Sequence, residues 1–228
     1  MIAGSAFRQS TTVLSVLLLA GCASETLFRS NFDTTQPGQT PTTADVGTVA
    51  TEGAVTVIAP PVLPSGRWVQ TSRPAADTPL ASFQGNLTEV RGDGRYTFSA
   101  TIFMPTSTTG VATIQFERKN QPLPSIANFL HLDLLPNNKV RIDDLAATEF
   151  GKFPRDKPFI VQVTLDIGAT PTANIVLSGA GAEGTADHAI LPPNIGMSHQ
   201  FGAVRLAMQF PHLGSLQATN IAVTHRTD

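Results

Sequence analysis

Few residues in this chain have the type and spacing to do chemistry. His131 and Asp133 alternate with Leu130, Leu132 and Leu134. On a strand, that spacing puts the imidazole and the carboxylate on one face, about 7 Å apart. There they could touch a metal or a polar ligand, or stand solvated opposite a leucine stripe. No third ligand lies close in sequence, and a metal normally needs more than two. Gln162 and Asp166 share the polar side of Phe159–Ile167. That side could bind a polar ligand or face water, as half-exposed strands do by default. Trp68, the one Trp of the chain, is either a binding platform or a strand anchor.

The remaining motifs point to no activity. Asp143, Asp144 and Glu149 are the densest acidic group. Paired carboxylates do acid–base work when their surroundings push their pKa values apart, but these three fit a capped turn between strands. Gly179-Ala180-Gly181-Ala182-Glu183-Gly184 matches a dinucleotide fingerprint. A dinucleotide site needs a helix next, whereas the chain runs on into Pro192-Pro193. The stretch is therefore expected to be a flexible connection between strands. Arg91-Gly92-Asp93 leads into Gly94, and Asp-Gly before a strand is good turn chemistry. Gly-x-Ser-x-Gly and His-Glu-x-x-His are both missing, so no serine hydrolase elbow or zinc helix is signalled. No motif asks for a cofactor.

The elements that must position these residues are strands. Seventeen Pro and eighteen Gly are spread along the chain and leave few windows for a helix. Strict alternation marks Arg95–Met104, with Tyr96, Phe98, Ala100 and Ile102 on one face. It also marks Phe159–Ile167, Ala203–Phe210 and Ala218–His225. In Ala203–Phe210 the inward residues are Val204, Leu206, Met208 and Phe210, with Arg205 and Gln209 outward. Shorter strands are expected at Val111–Glu117, Leu130–Leu134, Lys139–Ile142 and Ala173–Ser178. Pro136-Asn137-Asn138 supplies a hairpin turn. Ile126, Phe129, Leu130 and Leu134 also fit a helical stripe, but the Leu-x-Leu-x-Leu alternation favours strand. Leu27–Phe32, Val55–Ile58, Arg67–Thr71 and Leu80–Phe83 are expected as edge strands, and Thr34–Gly53 as a surface loop. About a dozen short strands with turn signals between them predict an antiparallel all-β sandwich or barrel.

The N-terminus stands apart. Val13–Ala20 is an eight-residue apolar run, about 12 Å long as a helix and too short to span a bilayer. It ends in Leu19-Ala20-Gly21-Cys22, whose cysteine is the only one in the chain. Arg8, the apolar run and the small residues before Cys22 make a signal peptide. The pattern resembles the lipobox of bacterial lipoproteins. That resemblance implies removal of residues 1–21 and acylation of Cys22 as the new N-terminus. The first expected strand, at Leu27, then makes 22–26 a tether, and the chain length fits a single domain at 27–228. Ordinary secretion with an unmodified Cys22 is the alternative. Ala23, where family members kept in the inner membrane carry Asp, implies the outer membrane. A lipoprotein of this kind does not normally meet the machinery that would glycosylate Asn86-Leu87-Thr88.

Composition excludes several partners. Charged residues are 14% and the net charge is −2, so no basic surplus exists to hold nucleic acid or to form a polybasic membrane patch. With Cys22 lipidated, no thiol remains for a disulfide or a zinc site.

Three segments carry a second resemblance. These are Arg95-Tyr96-Thr97-Phe98-Ser99-Ala100, the hairpin Leu132-Asp133-Leu134-Leu135-Pro136-Asn137-Asn138-Lys139-Val140, and Phe159–Asp166. In order and spacing they resemble the concanavalin A-like lectin/glucanase sandwich, a jelly roll of two antiparallel sheets. The resemblance implies glycan binding or cleavage on a concave sheet. The glucanase string Glu-x-Asp-x-x-Glu is absent, and one Trp with one Tyr offers little aromatic platform. The expected function is thus a non-catalytic, membrane-anchored jelly roll that binds a glycan or an envelope protein. A divergent glycoside hydrolase or lyase, and a structural envelope lipoprotein, are the alternatives.

Overall fold

A computed structural model of the chain describes residues 24–62, 66–118, 128–142, 149–190 and 200–227. The lipobox with Cys22, the Asp143-Asp144 pair and Pro192-Pro193 lie outside these residues. The described residues form fifteen strands and no helix. In chain order the strands are β1 (Glu25–Ser30), β2 (Thr48–Glu52), β3 (Val55–Ile58), β4 (Trp68–Arg73), β5 (Ala81–Asn86), β6 (Gly94–Phe103), β7 (Ala112–Arg118) and β8 (Asn128–Leu134). There follow β9 (Val140–Ile142), β10 (Glu149–Phe150), β11 (Phe159–Ile167), β12 (Thr172–Ser178), β13 (Gly184–Ala189), β14 (Phe201–Met208) and β15 (Gly214–Arg226).

Two antiparallel sheets make a sandwich. The eight-stranded sheet runs β13-β12-β11-β6-β15-β4-β3, with β1 also on β15. The seven-stranded sheet runs β10-β9-β8-β7-β14-β5-β2. Alternation dictates the core between them. Tyr96, Phe98 and Ile102 of β6 and Val161, Val163 and Leu165 of β11 are buried from one side. Ile114 and Phe116 of β7, Leu130, Leu132 and Leu134 of β8 and Val204, Leu206 and Met208 of β14 are buried from the other. Phe98 meets Phe116 edge-on at 5.2 Å, and Tyr96 meets Phe201 at 5.3 Å. This geometry suits the ring quadrupoles. The buried Tyr96 hydroxyl donates to the carbonyls of Arg91 and Gly92, at 2.7 and 2.8 Å.

Several expectations change. β4 lies between β15 and β3, and β5 between β14 and β2, so neither is an edge strand. Thr34–Gly53 is not all loop, because β2 forms there and closes the seven-stranded sheet against β5. Gly184, the last glycine of the dinucleotide-like motif, opens β13. Phe129, Leu130 and Leu134 of the alternative helical stripe lie on β8, whose turn to β9 places Asn138 at φ 66, and Ile126 lies outside the described residues.

β15 is long enough to serve two neighbours on one side. Gly214–Ala218 pairs with β4, and Ile221–His225 pairs with β1. Asn220, at φ 50, sits where the register with β6 shifts. Asn tolerates that left-handed conformation better than most residues. β1 begins at Glu25 opposite His225, so the chain enters the sheet where β15 ends. The β14–β15 loop lies at the opposite end, about 40 Å away along β15.

Close packing leaves no room at Gly85 of β5. A Cβ there would come 2.5 Å from Cζ of Phe28, which is wholly buried. Gly85→Ala should therefore cost about 1–3 kcal/mol from overpacking. Urea denaturation would measure this, and an unchanged midpoint would mean that the Phe28 ring can yield.

Candidate functional site

The eight-stranded sheet turns a polar face outward at the end where the chain enters. Alternation on β11 buries Leu165 and Ile167 and sends Asp166 out. Register sets Arg95 of β6 on one side of it and Thr172 of β12 on the other. One residue-pair further along, Thr164, Asn174 and Asp187 stand side by side. Arg95 grips Asp166 at two points, Nε to Oδ1 at 2.6 Å and Nη2 to Oδ2 at 3.0 Å. Asn174 Nδ2 donates to Asp187 Oδ1 at 2.8 Å.

Two adjoining pockets share Asp166. One, of about 410 Å³, is lined by Asp93, Gly94, Arg95, Ile167 and Thr227 as well. The other, of about 320 Å³, adds Thr172, Asn174, Asp187 and His188. Carboxylates, an amide, a hydroxyl and a guanidinium thus line an open cleft made of two hollows that meet at Asp166. Such groups complement a ligand rich in hydroxyls, which both donates and accepts. The Arg95–Asp166 pair is itself over 40% exposed at both side chains. Its own contribution to stability is therefore small, at most about 1 kcal/mol.

The fold separates the candidate residues. Gln162 is exposed, four residues along β11 from Asp166 and about 13 Å away, and it does not line the cleft. Trp68 is 3% exposed and packs edge-on against Phe103 at 6.4 Å. It is an anchor on the outer face of β4, not an open platform. His131 and Asp133 do come together, with Nε2 2.9 Å from Oδ1. They are not solvated, however, being 8% and 2% exposed. Arg141 Nε donates to the other Asp133 oxygen at 3.0 Å. Among the described residues, no three His, Cys, Asp or Glu side chains are grouped to hold a metal ion.

His131 and Asp133 belong to a buried polar layer on the outward face of the seven-stranded sheet. Register aligns His131 with Gln115, Arg205 and Gln84 across four strands. All four side chains are buried. Arg205 pairs with Glu117, Nη2 to Oε2 at 3.1 Å and Nε to Oε1 at 3.0 Å, and also donates to Gln84 Oε1 at 3.1 Å. Burial pushes the Glu117 carboxyl up to about 7, against the pull of Arg205, and pushes the Arg205 guanidinium down. Desolvation of both charges outweighs their attraction.

Glu117, Arg205, Arg95 and Asn174 were not singled out by the sequence as site residues. One signal for the buried layer was present. Ala203 and Ala207 flank Arg205 on its own face, and small residues around a lone charge suit a covered surface better than a wet one. Nothing in the sequence places Arg95 and Asn174 beside Asp166, because that takes the register of three strands.

No family model matches the chain, and no curated protein matches it in sequence. Solved structures match it by shape. The carbohydrate recognition domain of Emp47p superimposes with a TM-score of 0.56 at 11% identity, covering 90% of this chain and 95% of that one. Arcelin-5, a lectin-like defense protein from Phaseolus vulgaris, gives 0.54 at 8% identity over 90% and 99%. A carbohydrate esterase from the Shiga toxin-encoding bacteriophage phi24B gives 0.53 at 7% identity over 78% and 90%. The fold is a legume-lectin-like jelly roll. At such identities the likeness is one of architecture, and function must come from the site.

Proposed function

We propose that this chain is a non-catalytic saccharide-binding domain held to the bacterial envelope, in the outer membrane, by lipid on Cys22. The observation that carries the binding reading is the open cleft around Asp166, with Arg95, Thr172, Asn174 and Asp187 fixed by register on its walls. It occurs in a fold whose structural neighbours include a carbohydrate recognition domain and a lectin-like protein. The anchor rests on the lipobox alone.

Glycosidase chemistry fits less well. Glu117 has a carboxyl near neutrality, as a general acid requires. Asp133, on the same face, lies beside Thr113, four residues along β7 from Glu117. That is about 13 Å between backbone positions, and each carboxyl is turned to its own arginine, Asp133 to Arg141 and Glu117 to Arg205, not to a shared substrate site as hydrolysis requires.

An array of oligosaccharides probed with the wild type and with Asp166→Asn tests the binding reading. The variant removes the charge and half of the Arg95 grip, and should lose about tenfold or more in affinity with an unchanged denaturation midpoint. Equal binding by both would move the site elsewhere. Hydrolysis of an arrayed polysaccharide would replace the reading with an enzyme. Mass spectrometry of the membrane-extracted protein should find Cys22 acylated and N-terminal, and an intact leader would remove the anchor.

A further inference from the structure

A second feature lies at the opposite end of the sandwich. Phe210, in the β14–β15 loop, is 70% exposed. Ile160 is the one other exposed large apolar side chain among the described residues. Phe210 is not a loose side chain on a loose loop. Beneath its ring, 5.1 Å from the centroid, sits the guanidinium carbon of Arg73. Arg73 is wholly buried. The same guanidinium holds the carbonyls on both sides of the ring, Gln209 at 3.3 Å and His212 at 2.6 Å. Its remaining bonds go to the carbonyls of Ala76, Thr78 and Pro79 in the β4–β5 loop. One face of the ring is therefore backed by a fixed cation, and the other is presented to solvent.

The geometry points to Phe210 as a rigid aromatic platform that stacks on the apolar face of a single sugar ring, with Arg73 as its positioning residue. This site is separate from the Asp166 cleft and lies about 40 Å from it along the sandwich. A sugar fits better than a protein partner. Protein interfaces need several hundred square ångströms of contiguous surface. Among the described residues Phe210 is the one exposed large apolar side chain at this end of the sandwich, beside the small apolar surfaces of Pro211 and Pro79, and Ile160 lies on β11, three strand spacings from β4, at least about 14 Å away. Ring stacking needs a flat apolar face held in place before the ligand arrives, which the Arg73 contacts supply here.

The test compares wild type, Phe210→Ala and Phe210→Trp on a panel of neutral hexose, N-acetylhexosamine and uronic acid oligosaccharides, with Asp166→Asn alongside. Phe210 is exposed, so the alanine variant should fold as the wild type does. The expected result is a loss of about tenfold in affinity for at least one saccharide in Phe210→Ala. Phe210→Trp should restore it. Saturation-transfer NMR should show the strongest contact at the axial C–H protons of one ring. Unchanged binding by Phe210→Ala overturns the platform while leaving the Asp166 reading intact. A wild type that binds no saccharide overturns both. Capture of a protein through Phe210 without any saccharide also overturns the platform.

Discussion

Alanine in place of Arg73 is expected to lower the stability of the domain by about 3–5 kcal/mol. The side chain is wholly buried at the end of β4 and donates to five backbone carbonyls in two loops. Both loops lack a ladder of their own, so the guanidinium supplies what secondary structure supplies elsewhere. Truncation would leave those carbonyls to find water, and a cavity where the side chain had been. Arg73→Lys should recover only part of the loss, because an ammonium cannot reproduce a planar fork. The midpoint of urea unfolding measures the effect. A variant as stable as the wild type would show that the two loops hold themselves.

The second large effect is a pH dependence set by Glu117. Its carboxyl moves from 4.5 to about 7 on folding, so the folded form binds the proton more tightly. Between those values the unfolded chain has lost the proton and the folded chain has kept it. Stability should thus be greatest below about pH 4.5 for this group. It should fall as the pH rises through the window and level off above about pH 7, by up to roughly 3 kcal/mol in all. Glu117→Gln should flatten that window. Arg205→Met should show the opposite face of the same coupling. At pH 8 it strands a buried carboxylate and should cost about 3–5 kcal/mol, while at pH 5 the protonated acid needs its partner less. Denaturant titrations at the two pH values separate these outcomes. A wild type equally stable across the window would mean that Arg205 keeps Glu117 ionised throughout.

Much of the architecture was legible because strand period and core burial are the same fact. Tyr96, Phe98 and Ile102 alternate in the sequence and are buried in the structure. β13 was not legible. Its residues, Gly-Thr-Ala-Asp-His-Ala, include no large apolar side chain, since an edge strand with its side chains half in water needs none. Alternation also told which side of a strand a residue takes, but not whether that side is wet. Asp166 and Arg205 were both read as outward. Asp166 stands in an open cleft, and Arg205 is 2% exposed. The difference lies in what covers each sheet, which is a long-range property. Phe210 was expected to point inward with Val204, Leu206 and Met208. Instead β14 ends at Met208, and the alternation no longer binds the loop beyond it.

Between Cys22 and the first hydrogen-bonded residue of β1 stand only Ala23 and Ser24. Acyl chains on that cysteine would leave the body a reach of only about 10 Å from the lipid surface. The end of the sandwich where β1 begins, with the Asp166 cleft, would be kept near the lipid headgroups, and Phe210 lies at the other end. The two proposed sites would then lie at unequal distances from the lipid, and lengthening the stem would raise both without altering a single contact inside the sandwich.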